Sequence, residues 1–252
     1  MGVVSQSEER IDDLLWRNLK IIQNPNWFCF SLDAVLLADF LLLRPGDRVV
    51  DLGTGTGVIP LLLAARLRNA SIIGLELKEE VAHMAERSVS LNNLNQQITI
   101  KVGDIKEASA QLGKGSFDLV VSNPPYAPMG TGKISLSPVK AAARTEVYCS
   151  LKDVIREGAA LLNSEGRFAL VHRPARLGEI ISLMRDYRLE PKRMRFVHPM
   201  LGREPNILMI EGIKNGKRDV HILPPLFIYQ KTGVYSEEMA AIFQGKILKE
   251  EW

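Results

Sequence analysis

Four consecutive residues, Asn123-Pro124-Pro125-Tyr126, carry the groups needed to hold a planar amine. An asparagine amide oxygen and a proline carbonyl can each accept one proton of an exocyclic NH2 group. Paired prolines stiffen the turn and lack backbone N–H groups, which leaves carbonyls free to accept. A tyrosine ring can stack on the base that bears the amine. A stiff turn that merely closes a strand is the rival reading of the tetrapeptide alone. Upstream, Asp51-Leu52-Gly53-Thr54-Gly55-Thr56-Gly57 sets three alternate glycines behind an acid. Glycines there permit positive φ and let a ligand touch the backbone. The N–H groups of a helix starting behind them suit an anion. The spacing is GxGxG and not the dinucleotide GxGxxG, so the loop alone reads equally as a packing turn. Two further acids sharpen it: Glu76 can take both hydroxyls of an unphosphorylated ribose, and Asp104 can meet an adenine amino group. Each acid alone reads as solvated or capping.

These residues need a scaffold that brings them together. From Arg48 the chain alternates apolar runs near 48–52, 71–76, 97–102 and 117–122 with helical patterns near 57–68, 78–93 and 105–112. Such alternation implies a parallel sheet with right-handed crossovers. Asp51 lies at the end of the first strand, and Glu76, Asp104 and Asn123 end or follow the next three. Ligands of open α/β sheets bind at that edge. A helix near 150–162, a strand at 166–172, a helix at 175–187 and strands near 192–198 and 206–213 follow, the last two close enough for an antiparallel pair. Residues 123–147 form a long loop without periodicity. Before the core, Ser7 is expected to cap a helix over Glu8–Lys20, and a hairpin or folded-back loop follows through Phe30. Ser31 caps a helix from Leu32 to Leu43. Residues 1–45 are thus expected to be an N-terminal helix, hairpin and helix, 46–214 the main domain, and 215–252 a tail with a possible helix at 236–243.

Composition fits an ordinary globular protein: 252 residues, 46% hydrophobic, 24% charged and a net charge of +3. Residues 1–130 carry 12 basic and 15 acidic side chains, and residues 131–252 carry 20 and 14, so the second half can present a positive face to a polyanion. Two cysteines, Cys29 and Cys149, without metal-ligand spacing, point to a reduced, cytoplasmic protein with no metal. His83, His198 and His221 lack partners at ligand spacing. No signal peptide, myristoylation pattern or membrane-spanning run is expected.

Residues 48–126 resemble the class I S-adenosylmethionine-dependent methyltransferases that modify amino groups. The resemblance implies a Rossmann-like, mostly parallel seven-stranded α/β sheet with one antiparallel strand and helices on both faces. It also implies that Asp51, Gly53, Gly55 and Gly57 hold the methionine end of S-adenosyl-L-methionine, Glu76 its ribose and Asp104 its adenine. Asn123, Pro124, Pro125 and Tyr126 form the acceptor site. The segment Phe28-Cys29-Phe30-Ser31-Leu32-Asp33-Ala34-Val35-Leu36-Leu37 is similar to the N-terminal motif of bacterial tRNA(Val) adenine-N6 methyltransferases. So are Ala143-Arg144-Thr145-Glu146, Val171-His172-Arg173-Pro174 and the run Pro205–Gly212. Thr145 stands where that family has histidine. By this resemblance the substrate is N6 of a tRNA adenine next to the anticodon, and Asp33 and Phe30 close over the cofactor's methionine end or the acceptor base. Lys133, Lys140, Arg185, Arg188, Lys192, Arg193 and Arg195 are expected to face the tRNA backbone, and Arg173 either touches phosphate or is an ordinary surface arginine. Glutamine N5-methylation of release factors, guanine-N2 methylation of ribosomal RNA and a non-catalytic nucleic-acid-binding module stay open as alternatives. A nicotinamide oxidoreductase is disfavoured by the glycine spacing.

Overall fold

A computed structural model describes residues 8–14, 16–27, 29–67, 69–126 and 149–246. The main domain begins after α1 (Leu32–Phe40) and runs β3 (Arg48–Leu52), α2 (Val58–Arg66), β4 (Ser71–Glu76), α3 (Glu79–Leu91), β5 (Ile98–Val102), α4 (Ala108–Leu112) and β6 (Phe117–Ser122). It continues with α5 (Leu151–Leu161), β7 (Leu162–His172), α6 (Leu177–Asp186), β8 (Leu189–Met200) and β9 (Ile207–Lys214). The expected seven strands form one sheet in the order β8-β9-β7-β6-β3-β4-β5. Strand β9 is antiparallel to both its neighbours, and the other pairings are parallel.

Both faces of the sheet are covered, so its strands read as unbroken apolar runs. Alternate residues point to opposite sides. Val49, Val121 and Val171 join a core with α1, α2 and α3. Val50, Val120 and Leu170 join a second core with α5 and α6. The pairings Leu52↔Leu75, Leu52↔Ser122, Glu76↔Val102 and Ser122↔Leu170 align the strand ends, so the loops after β3, β4, β5, β6 and β7 share one edge. The Ser122 hydroxyl donates to the Leu52 carbonyl at 2.8 Å and pins two of those ends together.

Two regions differ from the expectation. No helix spans Glu8–Lys20; instead β1 (Arg10–Asp13) pairs antiparallel with β2 (Lys20–Gln23). Arg17 and Asn18 take positive φ at the bend, and Asp13 lies opposite Lys20. Helix α3 fixes this hairpin: the Ile22 N–H donates to Ser88 Oγ at 3.0 Å and the Lys20 N–H to Asn92 Oδ1 at 2.9 Å. Those tertiary bonds outweigh the local helical pattern. The expected tail also joins the sheet. Strand β10 (His221–Ile222) and β11 (Leu226–Lys231) pair parallel with β8, β12 (Val234–Tyr235) pairs with β11, and α7 (Glu237–Phe243) packs Met239 and Ile242 into the first core. The Trp16 indole N–H donates to the Ile242 carbonyl at 2.6 Å, joining the early hairpin region to the last helix.

Among the described residues no helix is long and apolar enough to cross a membrane, and no group of three His, Cys, Asp or Glu could hold a metal.

Candidate active site

The glycine loop leaves β3 and turns into α2. Gly53, Gly55 and Gly57 have φ of +77°, +56° and +84°, which only glycine adopts without strain. A Cβ at Gly57 would stand 3.2 Å from Ala85 Cβ, whereas one at Gly55 would meet nothing within 4 Å. The first glycine allows close packing of α3, and the second borders open space.

Asp51 is fully buried, and neither of its carboxylate oxygens has a hydrogen-bond partner among the described residues. Burial raises its pKa to about 7; the Thr54 hydroxyl opposes this from outside hydrogen-bond geometry, and the Glu76 charge adds to it. Glu76 ties the loop to β4: one oxygen accepts from the Gly55 N–H and the other from the Lys78 N–H, both at 3.0 Å. Its pKa is raised, chiefly by burial, against the lowering effect of those backbone bonds. Asp104 caps the short 3-10 turn Ile105–Glu107, accepting from the Lys106 N–H at 2.9 Å. One Asp104 oxygen therefore does what a capping acid does, and the second is not used in that bond.

Across the edge, Pro124 is buried while Asn123, Pro125 and Tyr126 are half-buried. The Tyr126 hydroxyl stands 2.7 Å from Asn123 Oδ1 and 2.7 Å from Asp33 Oδ2. Asp33 lies in the first turn of α1, and its carboxylate is engaged on the acceptor side. Phe30 is partly buried against the first core, and its N–H donates to Gln23 Oε1 at 2.8 Å, so its contacts are those of packing. Phe28 lies outside the described residues, as do Lys133, Lys140 and the segment Ala143–Glu146.

The sequence alone did not reveal that the last residue of β7 and the one after it supply two groups around Tyr126. The Arg173 guanidinium carbon lies 4.7 Å from the tyrosine ring centroid, over its face. The His172 ring is tilted against the same ring at 5.0 Å. Arg173 thus covers one face of the ring. Burial, and then the Asp33 charge, push the Tyr126 pKa well above its ordinary value. His172 is fully buried, accepts the Arg173 N–H at Nδ1 (2.8 Å), and so carries its proton on Nε2, which has no partner among the described residues. Burial, and then the positive charge of Arg176, lower its pKa to about 4, leaving it neutral. The Val171-His172-Arg173-Pro174 run was the available signal; its contact with Tyr126 comes only from the β6–β7 pairing.

The basic residues expected to form one tRNA face do not share one. Arg195 is buried and pairs with Glu238 at 2.6 Å, and Arg193 lies over the Phe40 ring near Glu211. Arg185 pairs with Glu190, and Lys192 donates to the Lys217 carbonyl. The registers His172↔Leu208, Phe196↔Leu208 and Leu189↔Lys214 put Arg185, Arg188 and Lys192 at the far end of the sheet from Asn123. Periodicity shows that β8 is a strand, but not which way it runs or which of its arginines turn inward.

Comparison with known proteins places the chain in a family. The model of the "Methyltransferase small domain" family matches residues 18–185. A Porphyromonas gingivalis protein named tRNA1(Val) (adenine(37)-N6)-methyltransferase is 32% identical over 215 residues, covering 82% of this chain and 83% of its own. The release factor glutamine methyltransferase of Haemophilus influenzae is 33% identical over 142 residues, covering 51% of this chain and 47% of its own. Among solved structures, that of "a predicted O-methyltransferase" from Agrobacterium tumefaciens has a TM-score of 0.70 at 24% identity and covers 85% of this chain and 97% of its own, a likeness of fold. With a matching family model over two thirds of its length and a relative above 30% identity across more than four fifths of both chains, the chain is a methyltransferase and belongs to the methyltransferase small domain family.

Proposed function

We propose that this protein methylates the exocyclic N6 of an adenine in tRNA, next to the anticodon, using S-adenosyl-L-methionine. The observation that carries the reading is the pairing on one sheet edge of an unpartnered buried carboxylate, Asp51, with an Asn-Pro-Pro-Tyr turn one strand away. A buried carboxylate without partners calls for a cation or a donor. S-adenosylmethionine carries an ammonium that fits Asp51, ribose hydroxyls that fit the remaining lone pairs of Glu76, and an adenine amine that fits the second Asp104 oxygen. The open space beside Gly55 suits the close approach of such a ligand. When bound, the cofactor supplies a methyl group on a sulfonium centre.

The chain's own residues prepare the acceptor. The N6 lone pair of adenine is delocalised into its ring, which makes the amine a weak nucleophile. Asn123 Oδ1 and the Pro124 carbonyl accept its two protons and favour a pyramidal nitrogen whose lone pair is available. Holding the amine in that pose is catalysis by proximity and electrostatic alignment. The base must first leave its stack, at a cost of a few kcal/mol. Stacking on Tyr126 offsets about 1–3 kcal/mol of that. A glutamine amide presents a similar planar NH2 group, so the release-factor reading uses the same turn. The extent of the tRNA-modifying relative, most of both chains against about half, favours the nucleic acid. We infer a cytoplasmic protein from that substrate.

The test is methyl transfer from labelled S-adenosylmethionine to unmodified tRNA. Asn123→Ala is expected to lower kcat about 100-fold or more, by analogy with removal of one group that aligns transition-state charge, while cofactor affinity by calorimetry stays within twofold. Equal turnover by the variant would refute the role given to Asn123.

A further inference from the structure

The Tyr126 hydroxyl has two oxygens at the same short distance, Asp33 Oδ2 and Asn123 Oδ1, each at 2.7 Å. A phenol carries one proton and can donate to only one of them. A carboxylate is the stronger acceptor, so the proton goes to Asp33. Tyr126 keeps that proton, because burial and the Asp33 charge both oppose its loss. The contact with Asn123 is then left without a proton if the amide oxygen faces the phenol, and two lone-pair oxygens at 2.7 Å repel. A half-turn about the Asn123 Cβ–Cγ bond exchanges amide oxygen and nitrogen, which have nearly the same shape. In that orientation every contact has one donor and one acceptor.

We infer that Asp33 acts through the Tyr126 hydroxyl to decide which end of the Asn123 amide faces the substrate. The chain runs Asn123 Nδ2–H to Tyr126 Oη, and Tyr126 Oη–H to Asp33 Oδ2, which releases Asn123 Oδ1 toward the acceptor site. Asp33 is a positioning residue of the acceptor and not a cofactor ligand. The consequence is specificity. An amide oxygen presented to the substrate accepts from an amine; an amide nitrogen presented there would oppose the amine donor to donor and would suit a keto group instead. The direction of this chain therefore selects a base or amide bearing NH2 over one bearing a carbonyl at the same position. The inference rests on the reading of Asn123 as the amine receptor. It adds a fixed polarity and the residue that sets it.

Two measurements test it, and the first does not depend on turnover. Neutron diffraction from a deuterium-exchanged crystal locates the protons. The expected map has an Nδ2 deuteron directed at Tyr126 Oη and the hydroxyl deuteron directed at Asp33. A deuteron lying between Oη and the Asn123 oxygen would overturn the inference. The second measurement is a double-mutant cycle with Asp33→Asn, Tyr126→Phe and their combination, assayed for methyl transfer to unmodified tRNA and, by calorimetry, for S-adenosylmethionine binding. Asp33→Asn is expected to lower kcat about tenfold, the effect of one hydrogen bond, with cofactor affinity unchanged. Adding it to Tyr126→Phe is expected to cost nothing more, because its route to Asn123 is already cut. Losses that multiply, or an Asp33→Asn variant that weakens the cofactor and leaves kcat alone, would overturn it. A wild-type protein that binds cofactor but leaves tRNA unmethylated would instead remove the proposed substrate, and the neutron map would still decide the orientation.

Discussion

Asp51 gives the site a pH signature that can be measured without substrate. Its carboxyl titrates near 7 in the fold against 3.8 in the open chain, so between those values the native state binds more protons than the unfolded state. Stability from this group therefore falls as pH rises from about 4 to 7. Asp51→Asn is expected to remove that slope and to stabilise the unliganded protein more at pH 8 than at pH 5, read from denaturant midpoints. If Asp51 meets the cofactor's ammonium, binding favours its ionised form. Affinity should then tighten as pH approaches 7, with proton release visible by calorimetry in buffers of different ionisation enthalpy. Affinity that is flat across pH 5.5–7.5 would remove Asp51 from the ammonium's contacts. The positions of the acids and glycines of this half were readable because each stands at its own strand end, a local position. The partners of Tyr126 were not, since Asp33 lies 93 residues away in sequence and reaches the hydroxyl only after α1 docks on the sheet.

At the scale of elements, one buried ion pair holds α1 and the strand after it in place. Arg167 on β7 meets Asp47 at 2.6 Å with both side chains nearly excluded from water, and it also donates to the Leu42 carbonyl two residues past α1. Removing one member strands a buried charge, so Asp47→Ala is expected to cost about 3–5 kcal/mol. A urea midpoint with an unchanged m-value checks this; a loss under 1 kcal/mol would show that water reaches the guanidinium. The parallel core was legible because the strands β3 to β6 are apolar runs closed by Gly53, Glu76, Gly103-Asp104 and Asn123. The β1–β2 hairpin was not: a capping serine followed by early acids suits a helix start, and the choice is made by Ser88 and Asn92 on α3. Strand β11 was visible as an apolar run, but its place beside β8 depends on a long-range parallel pairing that no local pattern specifies.

For the molecule as a whole, the charge excess of the second half was visible in the sequence, but its direction was not. Arg203, in the turn between β8 and β9, and Lys231, at the end of β11, lie at the same end of the sheet as His172, whereas Lys192 lies at the other. If tRNA is bound over the Asn123 edge, affinity should fall steeply with salt. Arg203→Glu should weaken binding several-fold at 100 mM salt and flatten the salt slope, while Lys192→Glu should do neither. A stronger effect at Lys192 would move the RNA to the opposite face.

One experiment reaches the central proposition, that the Asn123 turn receives an adenine amine of tRNA. Unmodified tRNA is incubated with the protein and S-adenosylmethionine, then digested and mapped by mass spectrometry. The expected product is a single N6-methyladenosine beside the anticodon, absent when Asn123→Ala replaces the wild type. Methyl groups on guanine, methylation confined to a release-factor glutamine, or the same adenosine product from the Asn123→Ala protein would contradict it.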